Sequence, residues 1–401
     1  MAAPVNEEGI NSKKKVSIVS CENYGRECTY LKVKAAIDEL GGIEKFVKPG
    51  SKVLLKPNLL MGSDPDSCVI THPDVLYAAG KILKENGCDI TIADSPGAGI
   101  IYNKKNLLKN YEKSGFLTVA KDLNIKLNYD TGYSYVSCPK GRVMKSFPVI
   151  NPAVEADCIV SVSKLKTHMY TYLTCAQKNL FGIVPGLDKP TFHSRFQTGE
   201  SFGEMITDLN TISKTALNIV DAVWGMEENG PMGGSKRYIG AILVGESGAA
   251  TDVCAAKIIG IDPIRVGSIS ASVKRGFLKE DFSDIELTGK KPEDFFVPDY
   301  KMPSSYKNKH KNTILQNLTL KIMQKYGKIY SPVPVVIENR CISCGQCVRI
   351  CPVKAASIRN GKAYFDISKC IRCYCCHEMC DSHAIGLKRG LPGKILAKIL
   401  E

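Results

Sequence analysis

Residues 341–352 read Cys-Ile-Ser-Cys-Gly-Gln-Cys-Val-Arg-Ile-Cys-Pro, and residues 370–380 read Cys-Ile-Arg-Cys-Tyr-Cys-Cys-His-Glu-Met-Cys. One ligand spacing occurs twice: Cys341, Cys344, Cys347 and Cys351, then Cys370, Cys373, Cys376 and Cys380. Two-residue gaps let one tight loop wrap three corners of a [4Fe-4S] cubane while a remote cysteine supplies the fourth. The spacing therefore predicts two [4Fe-4S] clusters in a crossed arrangement. Cys341, Cys344, Cys347 and Cys380 would hold one; Cys370, Cys373, Cys376 and Cys351 would hold the other. Zinc is the competing reading of paired Cys-x2-Cys units, but it uses two separated pairs per site. Here three close cysteines are followed by one, twice over, with Pro352 after the first fourth. Cys375 falls outside the repeat and is read as spare.

The segment resembles bacterial-type two-cluster ferredoxins, with Asp381 standing where the second copy often has proline. The resemblance implies a small α+β ferredoxin-like domain over residues 333–401. That unit is a minor part of a 401-residue chain, which is too long for one ordinary core. Of the 17 cysteines, nine lie outside the repeat and show no paired framework. Reduced thiols are expected, with some acting as small hydrophobes. The first fifteen residues are polar and then basic, and no stretch reaches eighteen apolar residues, so no transmembrane segment is expected. A cytoplasmic protein from an oxygen-poor, anaerobic setting is the expectation.

The formal net charge of +14 is unevenly spread. Between Asp299 and Glu338 there is no acidic residue, while Lys301, Lys307, Lys309, Lys311, Lys321, Lys325 and Lys328 add seven positive charges. Residues 300–332 are read as a basic linker. Ile314, Leu315, Leu318, Ile322 and Met323 give its middle, Asn312 to Tyr326, the period of an amphipathic helix. Such a helix packs between domains or meets an acidic partner or membrane surface. Residues 333–401 hold eleven Lys and Arg against five Asp and Glu. Two oxidised clusters with their thiolates would contribute roughly −2 each, leaving that domain only mildly basic. Nucleic acid is accordingly not expected as a partner.

Residues 1–299 alternate short apolar runs with helical stretches. Strands are expected at 16–19, 52–55, 89–93, 158–162, 217–220 and 241–244, and helices at 31–40, 75–86 and 204–215, with Gly41 and Gly87 as stops. The alternation predicts an α/β domain with a largely parallel sheet, whose ligands bind beyond the carboxyl ends of the strands. The segments after these runs are polar: Lys56-Pro57-Asn58, Asp94-Ser95-Pro96-Gly97, Lys164-Leu165-Lys166-Thr167-His168, Lys178-Asn179, then Asp221 and Glu227. Convergence of these tips would make one site. We assign Lys164, Lys166, His168 and Asp94 as catalytic candidates. Lys56, Asn58, Lys178, Asn179, Asp221 and Glu227 are the ligand-binding candidates. Lysines suit a carboxylate or phosphate, so an anionic small molecule is expected. The carboxylates could hold a further metal or move protons, and an organic cofactor is equally open. Cys175 near Lys178 raises the alternative of a thiolate activated by cations. One lysine after one strand is ordinary turn chemistry; the repetition at successive strand ends is what points to a pocket.

Standard nucleotide signatures are missing. Gly97-Ala98-Gly99 opens like a dinucleotide loop, but Tyr102 stands at the third glycine's place. No Walker motif occurs. Lys-Pro-Asn at 56–58, Thr-His-Pro at 71–73, Asp-Ser-Pro-Gly at 94–97, Lys-Leu-Lys-Thr-His at 164–168, Lys-Asn-Leu-Phe-Gly at 178–182 and Asn-Gly-Pro at 229–231 together resemble the family known as domain of unknown function 362. Glu228 departs from its pattern, which has glycine there. The resemblance covers nearly the whole chain and implies the two-domain architecture, since bacterial and archaeal members often end in a two-cluster ferredoxin module. It does not name a reaction.

Three functions compete. The first is an iron-sulfur electron-transfer protein, a ferredoxin-linked oxidoreductase, relaying single electrons between a redox partner protein and the α/β site. The second is a non-catalytic ferredoxin-like carrier whose large domain recognises a partner. The third is an iron-sulfur sensor or scaffold. Covalent linkage would favour the first by raising the effective concentration of clusters beside the site. Oligomeric state is left open.

Overall fold

The structure is a computed structural model in which residues 13–97, 100–186, 188–306 and 333–388 are described. The linker helix expected at 312–326 and most of the polar N-terminal stretch lie outside the described residues.

Nine strands form the main sheet: β1 (Lys14–Ser20), β2 (Lys52–Pro57), β3 (Asp89–Ile92), β4 (Lys126–Leu127), β7 (Cys158–His168), β8 (Tyr172–Thr174), β9 (Thr215–Glu227), β10 (Ser235–Gly245) and β11 (Ile285–Gly289). Strands β5 (Tyr133–Ser137) and β6 (Ser146–Ile150) make a separate antiparallel hairpin. The main order is β11-β1-β10-β9-β7-β2-β3-β4, with β8 paired to β7. Pairs β1/β11, β2/β3, β2/β7, β3/β4 and β7/β9 are parallel, while β10 is antiparallel to both β1 and β9. The sheet is thus mixed but mostly parallel, in agreement with the sequence.

Helix α1 (Arg26–Glu39) ends before Gly41 at φ 107, and α2 (Pro73–Glu85) ends before Gly87 at φ 73. Glycine takes this left-handed region without a Cβ penalty, so both stops fall where expected. His72 caps α2, its side chain accepting from Asp74 N–H, and Pro73 opens the helix where its missing N–H costs nothing. Helices α3 (Lys104–Lys113), α4 (Phe116–Leu123) and α5 (Asn151–Glu155) occupy the connections from β3 to β7. Helix α8 (Gly199–Ile212) begins earlier than the sequence suggested, because Thr198 and Ser201 form a capping box. Side chains of α1, α2 and α8 share one apolar cluster with Val53, Leu55, Ile90 and Val160. Helices α9 (Gly248–Ile258) and α10 (Gly267–Lys274) cover Val16, Ile18, Val220 and Leu243 in another. A fully buried Leu or Ile contributes about 2 kcal/mol here, and Leu55→Ala would cost about 2–5 kcal/mol.

One expectation is corrected. Lys164–His168 and Asp221 do not come after their strands: β7 runs through His168 and β9 through Glu227. After Cys158 every residue of β7 is buried, so these polar side chains must find hydrogen-bond and ion-pair partners inside the protein.

The C-terminal region is small. Strand β12 (Val333–Val336) pairs antiparallel with β15 (Ile385–Lys388), and β13 (Ala356–Arg359) with β14 (Lys362–Phe365). Asn360 and Gly361, at φ 47 and 68, make the two-residue turn that suits such a hairpin. A short helix lies within each cysteine loop, at Gln346–Ile350 and Cys375–Glu378. Ile350, Cys373, Cys375 and Met379 belong to the same apolar cluster as the α/β core, so this region is docked on the large domain. The chain from Tyr300 to Ser305 also packs on that domain, with Ser304 N–H donating to Asn229 Oδ1 at 2.8 Å.

Candidate functional site

The two cysteine loops repeat in conformation as well as in spacing. Left-handed φ values recur at Ser343 and Arg372 (both 59), at Gly345 and Tyr374 (71 and 61), and at Lys354 and His383 (51 and 49). Ala355 N–H donates to Cys351 Sγ at 3.1 Å, and Ala384 N–H donates to Cys380 Sγ at 3.2 Å. Backbone donors of this kind stabilise cluster thiolates and tune potential. The thiol of Cys347 is pushed up by burial and then by nearby Cys344, Cys380 and Cys341. That of Cys376 is raised by burial and then by Cys373, Cys370, Cys351 and, last, Cys347. Each of these neighbourhoods contains one of the crossed quartets read from the spacing. Among the described residues no three His, Cys, Asp or Glu side chains converge on a point suited to a single metal ion.

The strand ends of the large domain build a second feature. A cavity of about 70 Å³ is lined by Asn58, Asp94, Lys166, His168, Lys178 and Asn179. Each element contributes for a local reason. Strand β7 presents Lys166 and His168 on one face by the period of two. Helix α6 (Ala176–Asn179) carries Lys178 and Asn179, and its first N–H groups are held by Asp252 of α9: Ala176 N–H donates to Oδ1 at 2.7 Å and Gln177 N–H to Oδ2 at 3.1 Å. Burial pushes Asp252 up to about 7 against those hydrogen bonds.

Of the remaining sequence candidates, Lys56 lies directly behind this wall. Its Nζ forms an ion pair with Asp94 Oδ1 at 2.9 Å and donates to Asn179 Oδ1 at 3.3 Å, while Asp94 Oδ2 accepts from Leu59 N–H at 2.8 Å. Lys164, Asp221 and Glu227 do not line the cavity. Lys164 Nζ donates to Asp221 Oδ2 at 3.0 Å and to the Tyr24 hydroxyl at 2.7 Å, and Tyr24 stacks on His72 with ring centroids 3.6 Å apart. Glu227 accepts from Lys301 N–H at 3.0 Å. Asp94 and Asp221 each neutralise a buried lysine, which is a structural use of carboxylates. Cys175 is also corrected: burial, then Asp252, raises its thiol well above the ordinary range, so it is no activated thiolate.

Sequence reading placed Ser95 in a converging tip without a role, and it missed Thr174, Lys189, His193, Cys375 and Met379 as lining residues. Lys189 and His193 stand one helical turn apart on α7 (Lys189–Arg195), and that i, i+4 spacing beside Phe192 was the available signal. Lys189 Nζ donates to the carbonyls of Ser95 at 2.6 Å and Pro96 at 2.8 Å. Lys166 Nζ donates to Asn58 Oδ1 and to the Val69 carbonyl, both at 2.7 Å. Burial lowers Lys189 to about 7, with Asp94 opposing and Lys56 and Lys178 reinforcing the shift. Burial first, then Lys178 and Lys164, lowers Lys166 well below its ordinary value. His168 is likewise pushed down by burial, Lys178, His193 and Lys166. Its Nδ1 accepts from Tyr170 N–H at 3.0 Å and Thr171 N–H at 3.3 Å, which assigns the proton of the neutral ring to Nε2. Burial holds His193 near 3, and its ring stacks on Phe202.

The opposite wall comes from the cysteine region. Cys375 and Met379 line the cavity, and a Cβ on Gly97 would meet Met379 Sδ at 3.3 Å. Cys375, set aside in the sequence as spare, sits beside Cys376 and is 1 % exposed.

Comparison with known proteins yields two family models. Residues 53–257 match the family described as Domain of unknown function (DUF362), and residues 334–357 match a 4Fe-4S binding domain. The chain is 29% identical over 291 residues to Thylakoid-associated protein sll1697 of Synechocystis sp., covering 72% of this chain and 88% of that protein. Over 29 residues it is 48% identical to Ferredoxin-2 of Desulfomicrobium norvegicum, 7% of this chain and 49% of the ferredoxin. Among solved structures, the lactate racemase apoprotein of Thermoanaerobacterium thermosaccharolyticum aligns with TM-score 0.35 at 17% identity, over 55% of this chain and 52% of that one. A Thermotoga maritima protein aligns at the same TM-score with 15% identity, over 56% and 57%. The chain therefore spans about half the length of these two structures. No described helix is long and apolar enough to cross a membrane.

Proposed function

From a chain that belongs to the family described as Domain of unknown function (DUF362) and carries a 4Fe-4S binding domain, we propose an iron-sulfur electron-transfer protein that exchanges electrons with a small anion held in the α/β cavity. The observation that carries this reading is the shared wall: Cys375 and Met379, next in sequence to the ligand candidates Cys376 and Cys380, line the cavity that holds Lys166 and Lys189. The spacing of both cysteine quartets fits a cubane, and the paired backbone conformations support two clusters where only the first loop matches a family model. When bound, such clusters supply one-electron storage and transfer.

The chain's own residues do the rest. Lys166, Lys178 and Lys189 attract an anion. Asp94 is occupied by Lys56, so it does not cancel them. Burial and the nearby cations keep the His168 ring neutral, with its Nδ1 taken by the Tyr170 and Thr171 N–H groups, so it adds no competing charge. Met379 and Cys375 exclude water on the side facing the cysteine loops. A redox partner would meet the exposed side, where Cys344 and Ile342, the latter 71% exposed, reach the surface.

The test is redox titration of anaerobically purified protein followed by EPR, in wild type and Lys166→Met. Two cubane signals are expected. Removing a buried cation beside the loop of Cys373 and Cys376 should shift one midpoint potential and spare the other. Two unshifted potentials would mean that the cavity and clusters are uncoupled, as a plain carrier requires.

A further inference from the structure

Besides Asp94 Oδ1, which is ion-paired with Lys56, three buried polar atoms at this cavity have no hydrogen-bond partner among the described residues: Ser95 Oγ, Thr174 Oγ1 and His193 Nδ1. Their residues are 1%, 4% and 5% exposed, and all three line the cavity. Buried polar groups are nearly always satisfied, so three orphans on one small cavity mark a place where a ligand supplies the partners. Lys166 and Lys189 add to this. Each spends two of three N–H groups on neutral oxygens, and no carboxylate lies within ion-pair distance of either among the described residues.

We propose that the cavity binds the carboxylate of a short-chain organic acid, with the Lys166 and Lys189 ammonium groups and the Ser95 and Thr174 hydroxyls around the carboxylate and the carbon chain against Phe181 and Met379. The cations and hydroxyls of the lining are donors that suit a carboxylate. Leu60, Phe181 and Met379 also line the cavity, and an inorganic anion would leave this apolar part of the lining unmatched. The volume of about 70 Å³ admits a carboxylate and a few carbons. This assignment rests on the reading of the cavity as the ligand site and names what enters it.

The test is calorimetric titration of oxidised, cluster-loaded protein under anaerobic conditions with acetate, propionate, butyrate and hexanoate, and with propionamide and inorganic phosphate as counter-probes. Saturable binding of propionate is expected, with hexanoate, propionamide and phosphate at least tenfold weaker. Lys189→Gln should weaken propionate at least tenfold. Thr174→Val, which keeps the shape, should weaken it severalfold with an unchanged EPR spectrum, and this second variant serves should the lysine variant fold poorly. Absence of saturable propionate binding, equal binding of propionamide or phosphate, or wild-type affinity in Thr174→Val would overturn the proposal. Because no electron moves in this experiment, its failure leaves the potential shift of Lys166→Met as an independent test of the relay.

Discussion

Gly182 lies so close to Asp94 that a Cβ placed on it would stand 1.9 Å from Asp94 Oδ1 and 2.5 Å from Lys56 Nζ. The glycine of Lys-Asn-Leu-Phe-Gly is thus the ceiling of a buried ion pair. Gly182→Ala must push that pair apart, and breaking a buried pair costs about 3–5 kcal/mol. Thermal unfolding should show a lowered midpoint together with loss of ligand binding; a midpoint within a degree of wild type would show that the wall can yield.

Asp221 is expected to matter for stability and not for ligand affinity. It accepts from Lys164, Tyr24 and the His72 backbone. Asp221→Ala would leave Lys164 buried without its counter-charge, at a cost of about 3–5 kcal/mol. Denaturant unfolding would register this, while the affinity of any protein that still folds should change less than twofold. A large affinity loss would return Asp221 to the binding site.

Neighbouring cysteines should behave differently. Cys376→Ser is expected to halve the iron, from about eight atoms per chain for two cubanes to about four. Cys375→Ser should keep all of it, since Cys375 lines the cavity and stands outside the repeat. Iron and labile sulfide analysis decides between them; iron loss in Cys375→Ser would mean the register is wrong.

Lys189, near 7, gives anion binding a pH dependence of known sign. Asp94, Lys56, Lys178 and His193 are the charged or titratable groups that face it. Below pH 7 it carries its charge in the folded protein; above, it loses it. Propionate affinity should therefore fall as pH rises through 7, by at most about tenfold per unit for one linked proton. Stability in the absence of ligand runs the other way. The unfolded lysine, with its ordinary value of 10.5, binds more protons than the folded one between about 7 and 10.5, so stability rises with pH across that window. Lys189→Met should flatten both profiles, as calorimetry and unfolding at pH 6, 7.5 and 9 would show.

Most of the scaffold was legible because its strands begin with apolar β-branched runs and its first helices end at glycines. The ligand cysteines were legible because cubane geometry fixes their spacing. The site was only half legible. Lys166 and His168 read as loop residues, since nothing local reveals that Asn58, the Val69 carbonyl and backbone N–H groups will satisfy them inside a strand. Asp94 and Asp221 read as reactive carboxylates because their lysine partners, though on neighbouring strands of the sheet, are far away in sequence. Lys189 and His193 were passed over because α7 begins with an ordinary Lys-Pro turn. Glu228 shows the reverse case: it stands where glycine was expected and takes a left-handed backbone at φ 66, the region that favours glycine, tied to Lys301 at 3.0 Å and Ser235 at 2.9 Å.

The shared wall also carries an expected order of events. Cys375 and Met379 stand next in sequence to Cys376 and Cys380 and line the cavity with Lys166 and Lys189. On the proposed reading, iron loading of the cysteine loops would precede ligand capture, and oxidative loss of the nearby cubane would release the ligand at the moment the electron supply fails.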